Sequence, residues 1–268
     1  MTGGKGRPKR SLGQNFLVDP NLQRKIVSAL AAGPNDEVLE IGPGRGALTR
    51  HLLGHVRRLV LVELDDDLAR SLATQYVERP GVEVVHGDVL EVPFTENVQD
   101  PEGLLVIGNI PYNITTPIIF RLLKRPRPRD IVLMVQDDVA GRIVAPVGTK
   151  AYGALSIGVR TVAHVERLFK VGRRAFQPVP GVESAVIRIT PTRPEPLGPE
   201  EERRLRRLVR AAFQWRRKQL RRILRDHPDL SYPEDVLEAA AAAAGVTSAD
   251  RPERVTPEQF IRLAAALP

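Results

Sequence analysis

Asn109-Ile110-Pro111-Tyr112 sets a side-chain amide, a proline-stiffened piece of main chain and an aromatic ring side by side. Pro111 has no backbone N–H and a fixed φ, so the stretch neither extends a β-ladder nor coils freely into a helix. Amide and ring are thus held in fixed order, which suits gripping a flat, polar, aromatic ligand. An isolated stretch of this kind also fits a loop whose Asn caps a turn and whose Tyr is half-buried. The second signature is Glu40-Ile41-Gly42-Pro43-Gly44-Arg45-Gly46, with Glu63 about 20 residues after the first glycine. Glycines let backbone approach a ligand closely. A carboxylate at a strand tip can accept the protons of both ribose hydroxyls.

These residues need a scaffold, and the apolar runs supply one. Residues 38–41, 59–62, 82–85, 104–107, 131–135 and 185–189 read as strands. Helices are expected at 20–30, 47–53 and 115–123, with a further one after Asp138. Asp19-Pro20 is an N-cap followed by proline at the first helical position. Strands alternating with helices argue an α/β fold, a doubly wound, mostly parallel, Rossmann-like sheet, with the last pair forming an antiparallel edge. The glycine turn with Ala47 also fits a nicotinamide site. Glu40 inside the first strand's end, and Asp88 after the third strand where an adenine amine could be read, favour adenosylmethionine. Residues 156–165 mix helix and strand signals. Phe176 stands on a Pro-stiffened loop, Gln177-Pro178-Val179-Pro180-Gly181-Val182.

The proline-rich stretch 191–199 reads as a linker between a domain of residues 1–197 and a small all-helical domain of residues 198–268. In the latter, Leu205, Leu208, Val209, Ala212, Phe213, Leu220, Ile223 and Leu224 recur at helical spacing and would dock on a core. From Arg203 to Arg225 there are eleven Lys or Arg and no acid. Solvated helices normally interleave both signs, so a single-sign stripe favours phosphate contact. Residues 1–10 read as a mobile basic arm or a solubilising tail.

Composition narrows the function classes. The net charge of +8 points to a polyanionic partner. With no cysteine, disulfides, thiolate metal sites and thiol nucleophiles are excluded. His51 and His55 share a helix face but have no third ligand, so no metal site is expected. Neither a P-loop nor a G-x-S-x-G elbow occurs. No apolar run approaches a membrane span, and the first residues lack the apolar region of a secretory signal, which together predict a cytoplasmic protein.

Gln14-Asn15-Phe16-Leu17, the Glu40 to Gly46 motif and Asn109 to Tyr112 together resemble the ribosomal RNA adenine dimethyltransferases. Phe176-x-Pro178-x-Pro180-x-Val182-x-Ser184-Ala185-Val186 and Phe213-x-x-Arg216-Arg217-Lys218 are similar to the KsgA/Dim1 branch, which acts on small-subunit RNA. The likeness runs from Ser11 to about Leu263. It departs at Ile110, where the branch often has Leu, at Gly181, in place of a usual Lys, and at Gln219, in place of a usual Thr. The Gly181 departure bears on an RNA contact and not on the chemistry.

The resemblance implies a class I methyltransferase sheet that uses S-adenosyl-L-methionine. Asn15, Leu17, Gly42, Glu63, Asp88 and Asn109 would contact that donor, with Glu63 on the ribose and Asp88 on the adenine amine. It further implies dimethylation of the exocyclic amine of adenines, two adjacent ones, in 16S rRNA of the assembling 30S particle, by a monomer. The target base would flip out and lie between Tyr112 and Phe176. Asn109 and the Ile110 carbonyl would accept its amine protons. Arg216, Arg217, Lys218, Arg221 and Arg222 are the expected RNA contacts. Two other readings stay open: a large-subunit (23S) adenine methyltransferase of the macrolide-resistance type, and a noncatalytic ribosome-assembly factor.

Overall fold

The computed structural model describes residues 14–93 and 96–268. The expected basic arm at residues 1–10, and residues 11–13 at the start of the family likeness, lie outside the described residues. Asp19 caps helix α1 (Pro20–Leu30) by accepting the N–H groups of Asn21 and Leu22. The buried face of α1 is Gln23, Ile26 and Leu30, at helical spacing.

Strands β2 (Glu37–Ile41), β3 (Arg58–Glu63), β4 (Val82–His86), β5 (Leu105–Asn109), β6 (Asp130–Gln136), β7 (Ala163–Val171) and β9 (Ser184–Pro191) form one sheet in the order β4-β3-β2-β5-β6-β9-β7. β2 runs parallel to β3 and β5, β5 parallel to β6, and β9 antiparallel to β6. The chain lays β3 and β4 on one side of β2, then β5 and β6 on the other. Strand order therefore reverses between β2 and β5. In open α/β sheets ligands bind at this reversal, beyond the carboxyl ends of the strands. The facing strands are almost wholly apolar there: Val38, Leu39, Val106 and Ile107 are fully buried, as a strand covered on both faces requires. At Gly108 an added Cβ would lie 2.8 Å from the Ile41 carbonyl oxygen, so only glycine lets β5 sit this close to β2.

Short helices α2 (Thr49–Leu52), α3 (Asp66–Tyr76), α4 (Thr115–Leu122) and α5 (Asp137–Ile143) follow strands of this sheet. α2 is shorter than the helix expected at 47–53, because the turn runs on through Leu48 with Gly44 and Gly46 at positive φ. The ambiguous stretch 156–165 proves to be the end of helix α6 (Ala154–Arg160) and the start of β7. Its mixed signal thus had two sources.

The chain divides into two compact units: one reaches to Ala140 and adds Glu166–Pro191, the other combines Gly141–Val165 with Thr192–Pro268. Residues 141–165, expected in the sheet domain, join the helical one. Their Ala145, Tyr152 and Ile157 are buried in the same core as Leu205, Leu208, Leu237 and Phe260. A discontinuous unit of this kind leaves no break in composition to read. Its main helices are α7 (Pro199–Gln214), α8 (Leu220–Asp226), α9 (Glu234–Ala244) and α10 (Pro257–Ala266). Pro199 and the acids Glu200 to Glu202 occupy the first turn of α7, where a missing N–H costs nothing and negative charge meets the positive end of the helix dipole. Among the described residues no helix is long and apolar enough to cross a membrane.

Candidate active site

A cavity of about 380 Å³ opens where β2 and β5 diverge. Asn15, Leu17, Gly42, Glu63, Asp88, Asn109, Ile110 and Tyr112 all line it. Gly42 leaves β2 at φ +63°, which turns the chain sharply beneath the cavity. The next turn brings the Gly44 N–H to Glu63 Oε2 at 2.9 Å, while Glu63 Oε1 accepts the Asp65 N–H at 2.9 Å. Glu63 is therefore oriented by two backbone donors, with lone pairs left over on each oxygen. Burial pushes its carboxyl above the ordinary range, and the two N–H groups partly counter this. Asp88 is held in the same manner, Oδ1 accepting the Leu90 N–H at 2.8 Å.

Glu40 lies at the cavity floor and is almost fully buried. The Thr49 hydroxyl donates to its Oε2 at 2.7 Å. Burial raises the Glu40 carboxyl to about 7, against the pull of Thr49 and with a small push from the Glu63 charge. Leu64 and Val89, next to the two strand-tip carboxylates, add apolar wall. Two fixed carboxylates, a glycine turn and apolar surface make a cradle that fits a nucleoside.

The segment after β5 forms the opposite wall. The Asn109 side-chain Nδ2 donates to the Asn15 carbonyl at 2.9 Å. That bond orients the amide: one of the two Nδ2 hydrogens is engaged, and Oδ1 is left as an acceptor. The Ile110 N–H donates to the Met134 carbonyl at 3.1 Å, tying the proline kink to β6. Tyr112 is half-buried, and its Oη lies 2.6 Å from Ser184 Oγ. Burial raises the Tyr112 hydroxyl above its usual pKa, so it stays neutral throughout the working range.

Phe176 is not on this wall. Strand β8 (Phe176–Gln177) pairs antiparallel with β1 (Phe16–Leu17), placing Phe176 opposite Leu17. Its ring is 2% exposed and packs in the sheet core. Of the two rings expected about the base, Tyr112 lines this cavity and Phe176 does not.

Three contributors escaped the sequence reading. Ser184 orients Tyr112 across 72 residues of chain, which no local pattern encodes. Arg45 lines the cavity and stacks over the Phe16 ring, 4.2 Å from its centroid. Gln23 donates to the Leu17 carbonyl at 2.9 Å from within α1. A signal for Gln23 existed: it is a polar residue on the apolar stripe with Ile26 and Leu30, and a buried amide must find a partner.

The basic run folds differently from its expectation. Seven of its eleven cations pair with acids, four with residues flanking the run (Arg203 with Glu200, Arg206 with Glu202, Arg222 and Arg225 with Asp226) and three with acids farther along the chain (Arg210 with Asp229, Arg216 with Glu253, Arg221 with Glu234). Arg216 is spent on its own unit. Its guanidinium donates to the carbonyls of Lys150 and Thr149 at 2.9 and 3.1 Å and to Glu253 at 3.0 Å. Arg217 and Lys218 are exposed and have no ion pair among the described residues.

Comparison with known proteins gives a consistent picture. The family model described as ribosomal RNA adenine dimethylase matches residues 6–267. A Pseudomonas syringae protein named ribosomal RNA small subunit methyltransferase A is 42% identical over 262 residues, covering 97% of this chain and 95% of its own. A protein of the same name from Prosthecochloris aestuarii is 46% identical over 224 residues, covering 83% and 84%. Among solved structures, a dimethyladenosine transferase from Plasmodium falciparum matches with TM-score 0.77 at 26% identity, over 92% of this chain and 95% of that one. The 23S rRNA methyltransferase ErmE matches with TM-score 0.71 at 31% identity, over 94% and 99%.

Proposed function

This chain belongs to the ribosomal RNA adenine dimethylase family, and from that premise we propose how its residues carry out the reaction. The protein transfers methyl groups from S-adenosylmethionine to the exocyclic amine of adenines in small-subunit ribosomal RNA. The finer reading is that it acts as a cytoplasmic monomer on the assembling 30S particle, on two adjacent adenines. The near-full-length likeness to small-subunit methyltransferases supports that target.

The donor supplies an electrophilic methyl on a sulfonium sulfur. Glu63 would hold its ribose hydroxyls, Asp88 its adenine amine, and Gly42, Leu17 and Asn15 its backbone-facing edge. Their common place on the cavity wall supports this assignment. An adenine amine is a weak nucleophile because its lone pair is delocalised into the ring. Asn109 Oδ1 and the Ile110 carbonyl would accept its two protons and draw the nitrogen toward a pyramidal shape, with its lone pair aimed at the methyl. Tyr112 would stack on the extruded base and hold its plane. The amine nitrogen would take the methyl as its bond to the sulfonium sulfur breaks, leaving the neutral thioether, and the surplus amine proton would be released to solvent. Positioning does most of this work, and no strong base is required. A monomethylated amine still has one proton for Asn109 to hold, so the same geometry serves a second transfer.

Phe176 is the residue proposed for the other face of the base. Of the basic residues expected to contact RNA, Arg217 and Lys218 are favoured as phosphate contacts, because no acid among the described residues pairs with them.

The observation that carries this mechanism is the Asn109 amide, anchored through Nδ2 to the Asn15 carbonyl, which would present Oδ1 to the substrate. The test is methylation of isolated 30S and 50S particles with labelled donor, by wild type and by Asn109→Ala. Label in 30S alone, lost in the variant with particle binding kept, is the expected result. ErmE's similarity favours one rival, a large-subunit enzyme, and label in 50S alone would establish it instead.

A further inference from the structure

Helix α7 ends at Trp215, the only tryptophan in the sequence. Its indole is only half-buried. A pedestal fixes it from one side. The imidazole of His227 lies 5.0 Å from the Trp215 ring, tilted by 59°. His227 is itself 4% exposed and held at both nitrogens: Nε2 lies 2.8 Å from Gln214 Oε1, and Nδ1 accepts the Asp229 N–H at 3.1 Å. Since Nδ1 accepts, Nε2 carries the proton and donates to Gln214. Asp229 is anchored in turn by Arg210 at 3.5 Å. The ring is thereby rigid while part of it faces solvent.

The residues beside it give the surface its charge. Most of the surrounding cations are neutralised by acids, whereas Arg217 and Lys218 have no acid partner among the described residues. An ordered aromatic ring next to two unpaired cations is the arrangement that binds an unstacked nucleotide, its base on the ring and its phosphates on the charges. An acidic protein partner would use the charges alone and leave the ring without a role.

We propose that Trp215 is a stacking platform for an unpaired base of the RNA substrate, with Arg217 and Lys218 holding the adjoining phosphates. This rests on the reading that the protein acts on RNA, and adds a base contact to what composition showed only as charge. The contact is sequence-tolerant, because every base has a π-face. It anchors the RNA and takes no part in methyl transfer.

Because there is a single tryptophan, the wild-type protein reports on itself. The full chain is titrated at low salt with a short single-stranded oligoadenylate and, in parallel, with an abasic ribose-phosphate oligomer of equal length. Saturable quenching of tryptophan emission by the oligoadenylate, with little by the abasic oligomer, is expected. Trp215→Ala should weaken oligoadenylate binding about tenfold, and Trp215→Phe should retain most of it. Equal emission with both oligomers, or unchanged affinity in Trp215→Ala, would overturn the proposal. If Trp215→Ala fails to fold, the wild-type titration and Trp215→Phe still decide. Absent quenching in a protein that still methylates 30S particles sinks the platform alone. A protein that neither binds nor methylates RNA sinks the functional reading as well.

Discussion

The cavity wall and the basic run of α7 and α8 make a useful contrast. Both are conspicuous in the sequence, one through glycine, proline and carboxylates, the other through charge. In the cavity, the local pattern survives folding. Gly42, Glu63, Asp88 and Asn109 end up together because each sits at the carboxyl end of a parallel strand, and the topology brings those ends to one place. On the helices, folding changes the meaning of the pattern. Acids distant in sequence, Asp229, Glu234 and Glu253, neutralise much of what looked like one positive stripe. Motifs tied to backbone geometry travel well from sequence to structure, and charge counts do not.

The largest effect that could break this contrast lies at Asn109. Replacing it with alanine removes the only side-chain acceptor assigned to the target amine. Methyl transfer should fall roughly 10²- to 10³-fold, in line with the loss of one preorganised polar group in an active site. Binding to 30S particles should hardly change. Single-turnover transfer of labelled methyl, alongside equilibrium binding, checks both. Near-normal turnover would show that the cavity motif is as misleading as the charge stripe.

Glu40 probes the same wall through pH. Its carboxyl is raised by burial from 4.5 to about 7. The folded protein thus holds a proton that the unfolded chain has already released between those values, so stability falls as pH rises through that window. Its contribution is intact below about 4.5 and lost above about 7. Glu40→Gln, which can still accept from Thr49, removes the penalty. The ligand-free variant should gain on the order of 3 kcal/mol over wild type at pH 8 and almost nothing at pH 4. Urea unfolding at the two pH values measures this. A gain independent of pH would place the effect in packing and not in ionisation.

Much of the site was legible because its determinants are local. The strand tips, the glycine turn and the Asp19 cap each follow from neighbouring residues. Ser184, by contrast, touches Tyr112 only through the antiparallel return of β9, and Phe176 is buried only because β1 and β8 pair. Residues 141–165 join the helical core through Tyr152, whose hydroxyl donates to the Val255 carbonyl at 2.8 Å. All three depend on contacts far apart in the chain, and no window of sequence contains them.

Arg216 and its neighbour Arg217 divide the charge reading most directly. Arg216→Ala breaks bonds to two carbonyls and to Glu253. With the side chain about one-third exposed, it should cost about 1–2 kcal/mol of stability. Arg217→Ala should stay within about 0.5 kcal/mol of wild type. Thermal unfolding separates them, and equal losses would contradict the structural role of Arg216.

Ser184→Ala tests a residue that the sequence left unassigned. Without the 2.6 Å partner, the Tyr112 ring loses its fixed plane, and methyl transfer should fall about tenfold with donor affinity unchanged. Tyr112→Phe removes the same hydrogen bond from the other end. The double variant should therefore be little worse than either single one. Additive losses would mean that the two side chains act separately.

The smallest effect is also the finest test of the contrast. Arg217 has no ion pair among the described residues, whereas Arg222 lies 3.7 Å from Asp226. A phosphate that binds Arg217 displaces counterions from the RNA without breaking anything in the protein. The same phosphate at Arg222 must compete with a carboxylate already in place, so its net gain is smaller. Arg217→Ala should therefore lower the slope of log affinity against log salt by about 0.7 to 0.9, the contribution of one phosphate contact, and Arg222→Ala by less than half of that. RNA binding measured across a salt series supplies both slopes. Equal slopes would mean that the exposed ion pair dissolves when RNA arrives, and that the whole stripe, as its composition first indicated, faces the phosphates.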